Sequence, residues 1–418
     1  MLRKFSGGAF RARGLEQYYE NKSRLDALGI SLPPSARVLE LQAPWAKLSV
    51  DFLTEVLVPT GYIIGTDGFD DELALLRGTW QHNNLDTAFS LAVSETLAAG
   101  ASFWVLAPPD EEHEFVSIRV FDPDHAAVRL DAQDNVVEGL ALYKLADGTE
   151  AATYYTPDGV AFYRKEGGRW RDTGEGRRDT WGPSIVPMIN RARLRDRYGR
   201  SEIAELRSVI DAASRTLTNL QVAQEVSALP MRILAGEGAD VMMEQFPDAL
   251  QAYMGKLIGA PAGTTVYQLA GANMEAFLST YRTYALQVSA MTGIPPTALG
   301  VTSDANPTSA EALRVIKDRF IMRAENKQRQ MSDSLEQVGR LIIAMNGRST
   351  KGLEALETTW RDVAAASVSA QQANMLQAAA QGILSPETAA EYLGLTPEQA
   401  LRERGRSHDV DVMSGDLS

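Results

Sequence analysis

Residues 201–230 read SEIAELRSVIDAASRTLTNLQVAQEVSALP. Ile203, Leu206, Ile210, Ala213, Leu217 and Leu220 recur every three or four residues, the spacing that lays one apolar stripe along an α-helix. Ser201 is a helix-capping type, and Glu202 and Glu205 follow where negative charge complements the helix dipole. Pro230 ends the run, because its ring removes an amide donor and clashes with the preceding turn. At ~1.5 Å per residue, a helix over Glu202–Ala228 would span about 40 Å.

Downstream, Met231–Ala270 is a compact insert punctuated by glycines, and a second helix is expected over Met274–Thr292, stopped by Gly293. Ile294–Asn306 is a loop without periodicity. A third helix starts at Asn306-Pro307-Thr308-Ser309, where Thr308 and Glu311 form a capping box. Its stripe of Leu313, Ile316, Phe320, Ala324, Met331, Leu335, Val338, Ile342 and Met345 runs for roughly ten turns. Gly339 weakens this helix, and Gly347 is its stop. From Trp360 to Arg404 the chain reads as short Ala- and Gln-rich helices, with starts at Ser385-Pro386 and Thr396-Pro397.

Upstream, the first ~125 residues read as mixed α/β. A short amphipathic helix fits Trp45–Leu57, and Tyr62-Ile63-Ile64 has the pattern of a short buried strand. A helix over Leu85–Ala99 takes Asn84 as N-cap and Gly100 as stop, and Phe103–Leu106 is a strand. Val116–Asp172 reads as an antiparallel meander, with Asp147-Gly148, Asp158-Gly159 and Gly167-Gly168 at its turns.

The 418 residues carry 44% hydrophobic and 23% charged side chains, enough for a sizeable core. There is no cysteine, which excludes disulfides, thiolate zinc sites and cysteine nucleophiles. The N-terminus lacks the apolar run of a secretory signal, and no stretch approaches the ~20 apolar residues of a membrane span; a soluble, unexported protein is expected. The net charge of −13 argues against gripping nucleic acid by bulk charge.

Catalytic patterns are sparse. Gly255-Lys256 lacks the rest of a phosphate-cradling loop, and there is no Gly-x-Ser-x-Gly elbow. His82, His113, His125 and His408 are not spaced as metal ligands. Asp67, Asp70, Asp71 and Glu72 are the best candidate cation cluster, and a metal-dependent nuclease built on them is the enzymatic alternative. The plainer reading is a helix start, where acidic residues suit the dipole. Arg191–Arg200 reads RARLRDRYGR. Arg191, Arg193, Arg195, Arg197 and Arg200 are either a phosphate-facing patch or cations paired with acidic neighbours or with another subunit; pairing is the favoured reading. Neither a catalytic residue, a metal site nor a cofactor is expected.

Several segments, in order, resemble the portal proteins of tailed double-stranded DNA phages. They are WQHNNLDTAFSLAVSETLAAGASFWVL (80–106), VPMINRARLRDRYGRSEI (186–203), MTGIPPTALG (291–300) with NPTSAEALR (306–314), and GILSPETAAEYLGLTPEQ (382–399). The resemblance implies the α+β portal fold. Residues 1–200 would form a mixed α/β wing, 201–228 and 274–293 two stem helices, and 229–273 a small clip between them. Residues 294–308 would be a tunnel loop, 309–346 a long wing helix, and 347–418 the wing end and a short helical crown.

It further implies a ring of about twelve subunits at one capsid vertex, through which genomic DNA is packaged and ejected. Partners would be the terminase motor, a head–tail adaptor, and major capsid and scaffolding proteins, with no membrane. The protein would assemble in the host cytoplasm and end in the virion. Thr297, Leu299, Val301, Thr302, Ser303, Asp304 and Asn306 would line the DNA channel. A non-viral helical adaptor is the remaining alternative.

Overall fold

The computed structural model describes residues 14–26, 34–66, 68–111, 113–191, 193–228, 232–235, 265–268, 273–301, 310–364, and 377, 379 and 381. The chain divides into two compact units, Met1–Arg361 and Asp362–Ser418, and every helix and strand labelled below belongs to the first. In the second, the Asp362 carboxylate accepts the Ala364 amide at 2.8 Å. The helix starts expected at Ser385-Pro386 and Thr396-Pro397, and Thr308 of the expected capping box, lie outside the described residues.

Helix α1 (Trp45–Thr54) buries Trp45, Ala46, Val50 and Leu53 along one face. Strand β1 (Pro59–Ile64) follows, then α2 (Asp70–His82) and α3 (Leu85–Ala99). Helix α3 has the bounds the sequence predicts, and Gly100 ends it in the left-handed region at φ 107°. Asn84 does not cap it as expected. Asn84 is itself left-handed at φ 51°, and its side chain makes no capping hydrogen bond.

Strands β2 (Ala101–Ala107), β3 (Ser117–Phe121), β4 (Ala126–Leu130), β5 (Val136–Lys144), β6 (Glu150–Thr156), β7 (Gly159–Glu166), β8 (Arg169–Asp172), β9 (Arg177–Arg178) and β10 (Ile185–Ile189) come next. Strands β4 to β8 form the expected meander, each antiparallel to the next, and β9 adds to β7. Strand β3, expected within the meander, instead joins a three-stranded sheet ordered β10-β2-β3. The core between these two sheets holds Phe103, Val128, Leu130, Tyr155, Val160 and Ile185.

The helical half contains α4 (Arg207–Ala228), β11 (Arg232–Ala235), β12 (Thr265–Gln268), α5 (Met274–Thr292) and α6 (Ala310–Met345), followed by β13 (Leu356–Trp360). Helix α5 matches the predicted bounds. The Asn273 side chain accepts the Glu275 amide at its start, and Gly293 closes it at φ 77°. The first helix begins later than predicted: Ser201 caps a 3-10 turn over Glu202–Glu205, and the α-helix starts at Arg207. Helices α4 and α5 pack together, and β11 pairs antiparallel with β12 between them.

At ~1.5 Å per residue, α6 is about 54 Å long. Phe320, Ala324, Met331, Leu335, Val338, Ile342 and Met345 are all buried along its predicted stripe. Two late elements close the fold. Strand β13 pairs antiparallel with β1, from almost 300 residues away, so Trp360 ends a strand rather than opening the tail helices. Because strand side chains alternate, β1 buries Ile64 and exposes Ile63, which was expected inside. Gly339 lies where α6 crosses this pair: a Cβ there would sit 2.9 Å from Leu356 Cδ2 and 3.4 Å from Tyr62 Cε1. The glycine weakens the helix locally so that the strand pair can approach it.

Candidate functional site at the root of the helix pair

Lys327 falls on the apolar stripe of α6, between Ala324 and Met331, and is only 6% exposed. A buried ammonium needs a counter-charge. Its Nζ lies 2.7 Å from Glu202 Oε1 and also donates to Asn190 Oδ1. Arg323, one turn earlier, donates to Glu202 Oε2 through Nη2 and to the Thr292 carbonyl through Nη1 at 2.7 Å. Asn190 completes the junction, with Nδ2 donating to Glu202 Oε1 at 2.8 Å and to the Arg200 carbonyl at 2.7 Å. Burial alone would push the Glu202 carboxyl up. The Arg323 and Lys327 charges and the hydrogen bonds more than offset it, and hold it down to about 2.

This junction joins three pieces of chain. Glu202 leads into α4, Thr292 ends α5, and both are fastened to α6. The root of α4 is pinned separately. Its buried Ser214 and Thr218 hydroxyls accept the amides of Ala43 and Leu41. Trp45 stacks on Tyr281 of α5 at 4.8 Å. Beyond these anchors burial stops: no residue of 219–225 in α4 or 274–284 in α5 is fully buried within the chain.

The expected channel loop starts at this root. Pro296–Leu299 form a 3-10 turn closed by Gly300 at φ 78°. Thr297 is exposed. Leu299 and Val301 point the other way, 3% and 7% exposed, so their side chains anchor the loop in the core and do not face a channel within this chain. Thr302, Ser303, Asp304 and Asn306 lie outside the described residues.

The arginine run is mostly paired. Arg191 Nη1 and Arg197 Nε both reach Asp134, at the tip of the β4–β5 hairpin, at 2.7 Å. Hydrogen bonds from Arg197 and Arg191 lower the Asp134 carboxyl below its ordinary range. Arg200 pairs with Glu205 at 3.3 Å, and Arg193 approaches Asp196 at 3.7 Å. Arg195 is exposed and has no ion pair among the described residues. Asp134, Asp196 and Glu205 thus hold the segment within the chain.

Asp70, Asp71 and Glu72 occupy the first turn of α2, and Glu72 pairs with Arg348 at 3.6 Å. Asp67 lies outside the described residues. Among the described residues no three His, Asp or Glu side chains converge as a metal-holding group. His113 and His125 sit on exposed turns beside Asp110 and Asp122. Among the described residues no helix is long and apolar enough to cross a membrane.

Residues 10–403 match the family described as phage portal protein, SPP1 Gp6-like. The chain belongs to this portal protein family. It is 30% identical over 414 residues to the portal protein of Mycobacterium phage L5, covering 94% of this chain and 84% of that protein. With the portal protein of Mycobacterium phage D29 it shares 29% identity over 430 residues, covering 98% and 87%. Solved structures to which the chain shows some likeness include a chain in the neck of a native gene transfer agent particle. That likeness has a TM-score of 0.48 at 17% identity, over 92% of this chain and 99% of that one. A chain in the virion of the same kind of particle gives 0.45 at 15%, over the same shares.

The portal reading of the sequence did not include the buried junction, although its signal was present. A lysine on an apolar stripe, four residues after an arginine, announces an acidic partner from elsewhere in the chain. Local sequence marks Glu202 only as a dipole-complementing residue, because its other role depends on α6 lying beside it.

Proposed function

We propose that this portal-family chain assembles into a ring of about twelve subunits at one capsid vertex and conducts double-stranded DNA through its axis. It acts there without catalysis, docks a terminase motor and later a head–tail adaptor, and resides in the virion. The wing, stem, clip and tunnel-loop boundaries expected above are part of this proposal. The observation that carries it is the α4–α5 pair. Both helices are anchored at one end and lack fully buried residues over most of the other, and β11–β12 lies beyond. Helices normally bury one face. Side-by-side packing of copies would cover these.

A channel must surround DNA without holding it. Twelve chains at −13 each would carry a formal charge near −156. That charge keeps phosphate contacts few and lets DNA slide. Thr297 and residues 302–306 contain no cation and are the proposed DNA-facing part of the loop, with Leu299 and Val301 as its anchors.

Native mass measurement and negative-stain images of the purified chain should show closed rings. A monomer at every concentration would refute the ring. Deleting Thr302–Asp304, which spares the core residue Val301, should impair DNA packaging or retention while leaving rings intact. Normal filling and retention would remove the loop from the mechanism.

A further inference from the structure

Leu194 stands at the apex of the arginine loop and is 98% exposed, between exposed Arg193 and Arg195. The loop beneath it is fixed. Arg191 and Arg197 grip Asp134 from both sides. At its far end Gly199, at φ 92°, packs so closely on the α3 terminus that a Cβ would lie 2.0 Å from the Gly100 carbonyl oxygen. A large apolar side chain held out in water on a braced loop has the character of an interface anchor.

The complementary surface lies on α3. Leu91 is 66% exposed, and Glu95 follows it by one helical turn. Burial, then the nearby charges of Asp122, Glu16 and Asp124, push the Glu95 carboxyl up to about 7. The charged groups acting on it among the described residues are all carboxylates, although Asp122 also holds His125. Nine residues of helix, about 13 Å, separate Leu91 from Gly100, where the arginine loop is braced. The two surfaces are therefore distinct, one basic around a leucine and one acidic around a leucine.

We propose that Leu194, between Arg193 and Arg195, docks on Leu91 of a second copy, where the two guanidiniums meet Glu95, Asp122 and Asp124. Two unlike patches on one chain make a heterologous contact, the kind that repeats around a closed ring. The proposal rests on the ring reading and names one of its contacts. Nucleic acid is the less suited occupant. Arg191, Arg197 and Arg200 are already held by Asp134 and Glu205, which leaves two cations around the leucine, and an apical leucine adds nothing to phosphate binding.

The absence of cysteine gives a direct test. A chain carrying Leu91→Cys and Leu194→Cys, oxidised after assembly, should give a covalent ladder of dimers and larger species on non-reducing gels. Each single variant should give none. A second test is charge reversal. Arg193→Glu with Arg195→Glu should weaken ring assembly on the order of tenfold, and adding Glu95→Lys with Asp124→Lys should restore it. Circular dichroism of each variant checks that it folds.

Wild-type rings with no ladder from the double-cysteine chain would overturn the contact and leave the ring standing. Intact rings with altered DNA retention after the arginine reversal would reassign the loop to nucleic acid. A wild-type chain that never forms rings would overturn both readings.

Discussion

Replacing Glu202 by Gln removes the single negative charge shared by Arg323 and Lys327 while keeping the side chain's size. The free carboxyl titrates near 4.5, and in the fold it is held at about 2. At about 1.4 kcal/mol per pKa unit, the charged form contributes about 3 kcal/mol at neutral pH. Unpairing a buried ion pair typically costs about 3–5 kcal/mol. The low end is expected here, because Lys327 keeps Asn190 and Arg323 keeps the Thr292 carbonyl.

The pH dependence follows from the same two values. A depressed carboxyl stabilises the fold above its unfolded pKa, and that stabilisation is lost as pH falls from about 5 toward 2. Thermal melts of Glu202→Gln, below its assembly concentration, should therefore show a midpoint lower by on the order of 5 °C at pH 7. The gap to wild type should close progressively on acidification. A variant that melts within about 1 °C of wild type at pH 7, with an unchanged gap at pH 3, would refute the reasoning. The junction would then be an arrangement without net energetic value.

Four further outcomes are expected. Gly339→Leu should destabilise the fold by about 1–3 kcal/mol despite leucine's better helix propensity, because the side chain must displace Leu356 and Tyr62; denaturant titration reads this. Tyr62→Phe should cost about 1 kcal/mol, through loss of the hydrogen bond to the Leu335 carbonyl at 3.0 Å. In the wild type, burial and the Glu336 charge raise the Tyr62 phenol above its ordinary pKa, so ultraviolet titration should find it silent until alkaline unfolding. Asp134→Ala should speed amide exchange across residues 193–198 without loss of the overall fold, since both guanidiniums bracing that loop lose their carboxylate and keep only backbone carbonyls.

Local signals were readable where one segment carries its own instructions. Gly100 and Gly293 end their helices because both must enter the left-handed region, and the paired turn residues of the meander fix its hairpins. The burial of α6 followed from its 3.6-residue period. Failures came where a distant segment intervened. Strand β3 left the meander because β2 offered it an edge, and Trp360 became a strand end because β1 waited almost 300 residues upstream. Ahead of α4, Glu202 sits in the first turn of the Ser201-capped 3-10 helix and also pairs with Lys327 of α6, a contact that local spacing does not announce.

The sequence by itself therefore determined the portal-family membership, the order of elements and most helix ends, all of which depend on local spacing and on words of sequence read in series. Tertiary structure alone decided which charges are buried together and which residues of a candidate loop face inward. Leu299 and Leu194 are both leucines in irregular segments; one is 3% exposed and the other 98%. Arg193 and Arg195 flank Leu194 where Ala298 and Gly300 flank Leu299, but these neighbours do not set how deeply either side chain is buried. The difference arises from what packs against each loop, and that depends on contacts between segments far apart in the chain.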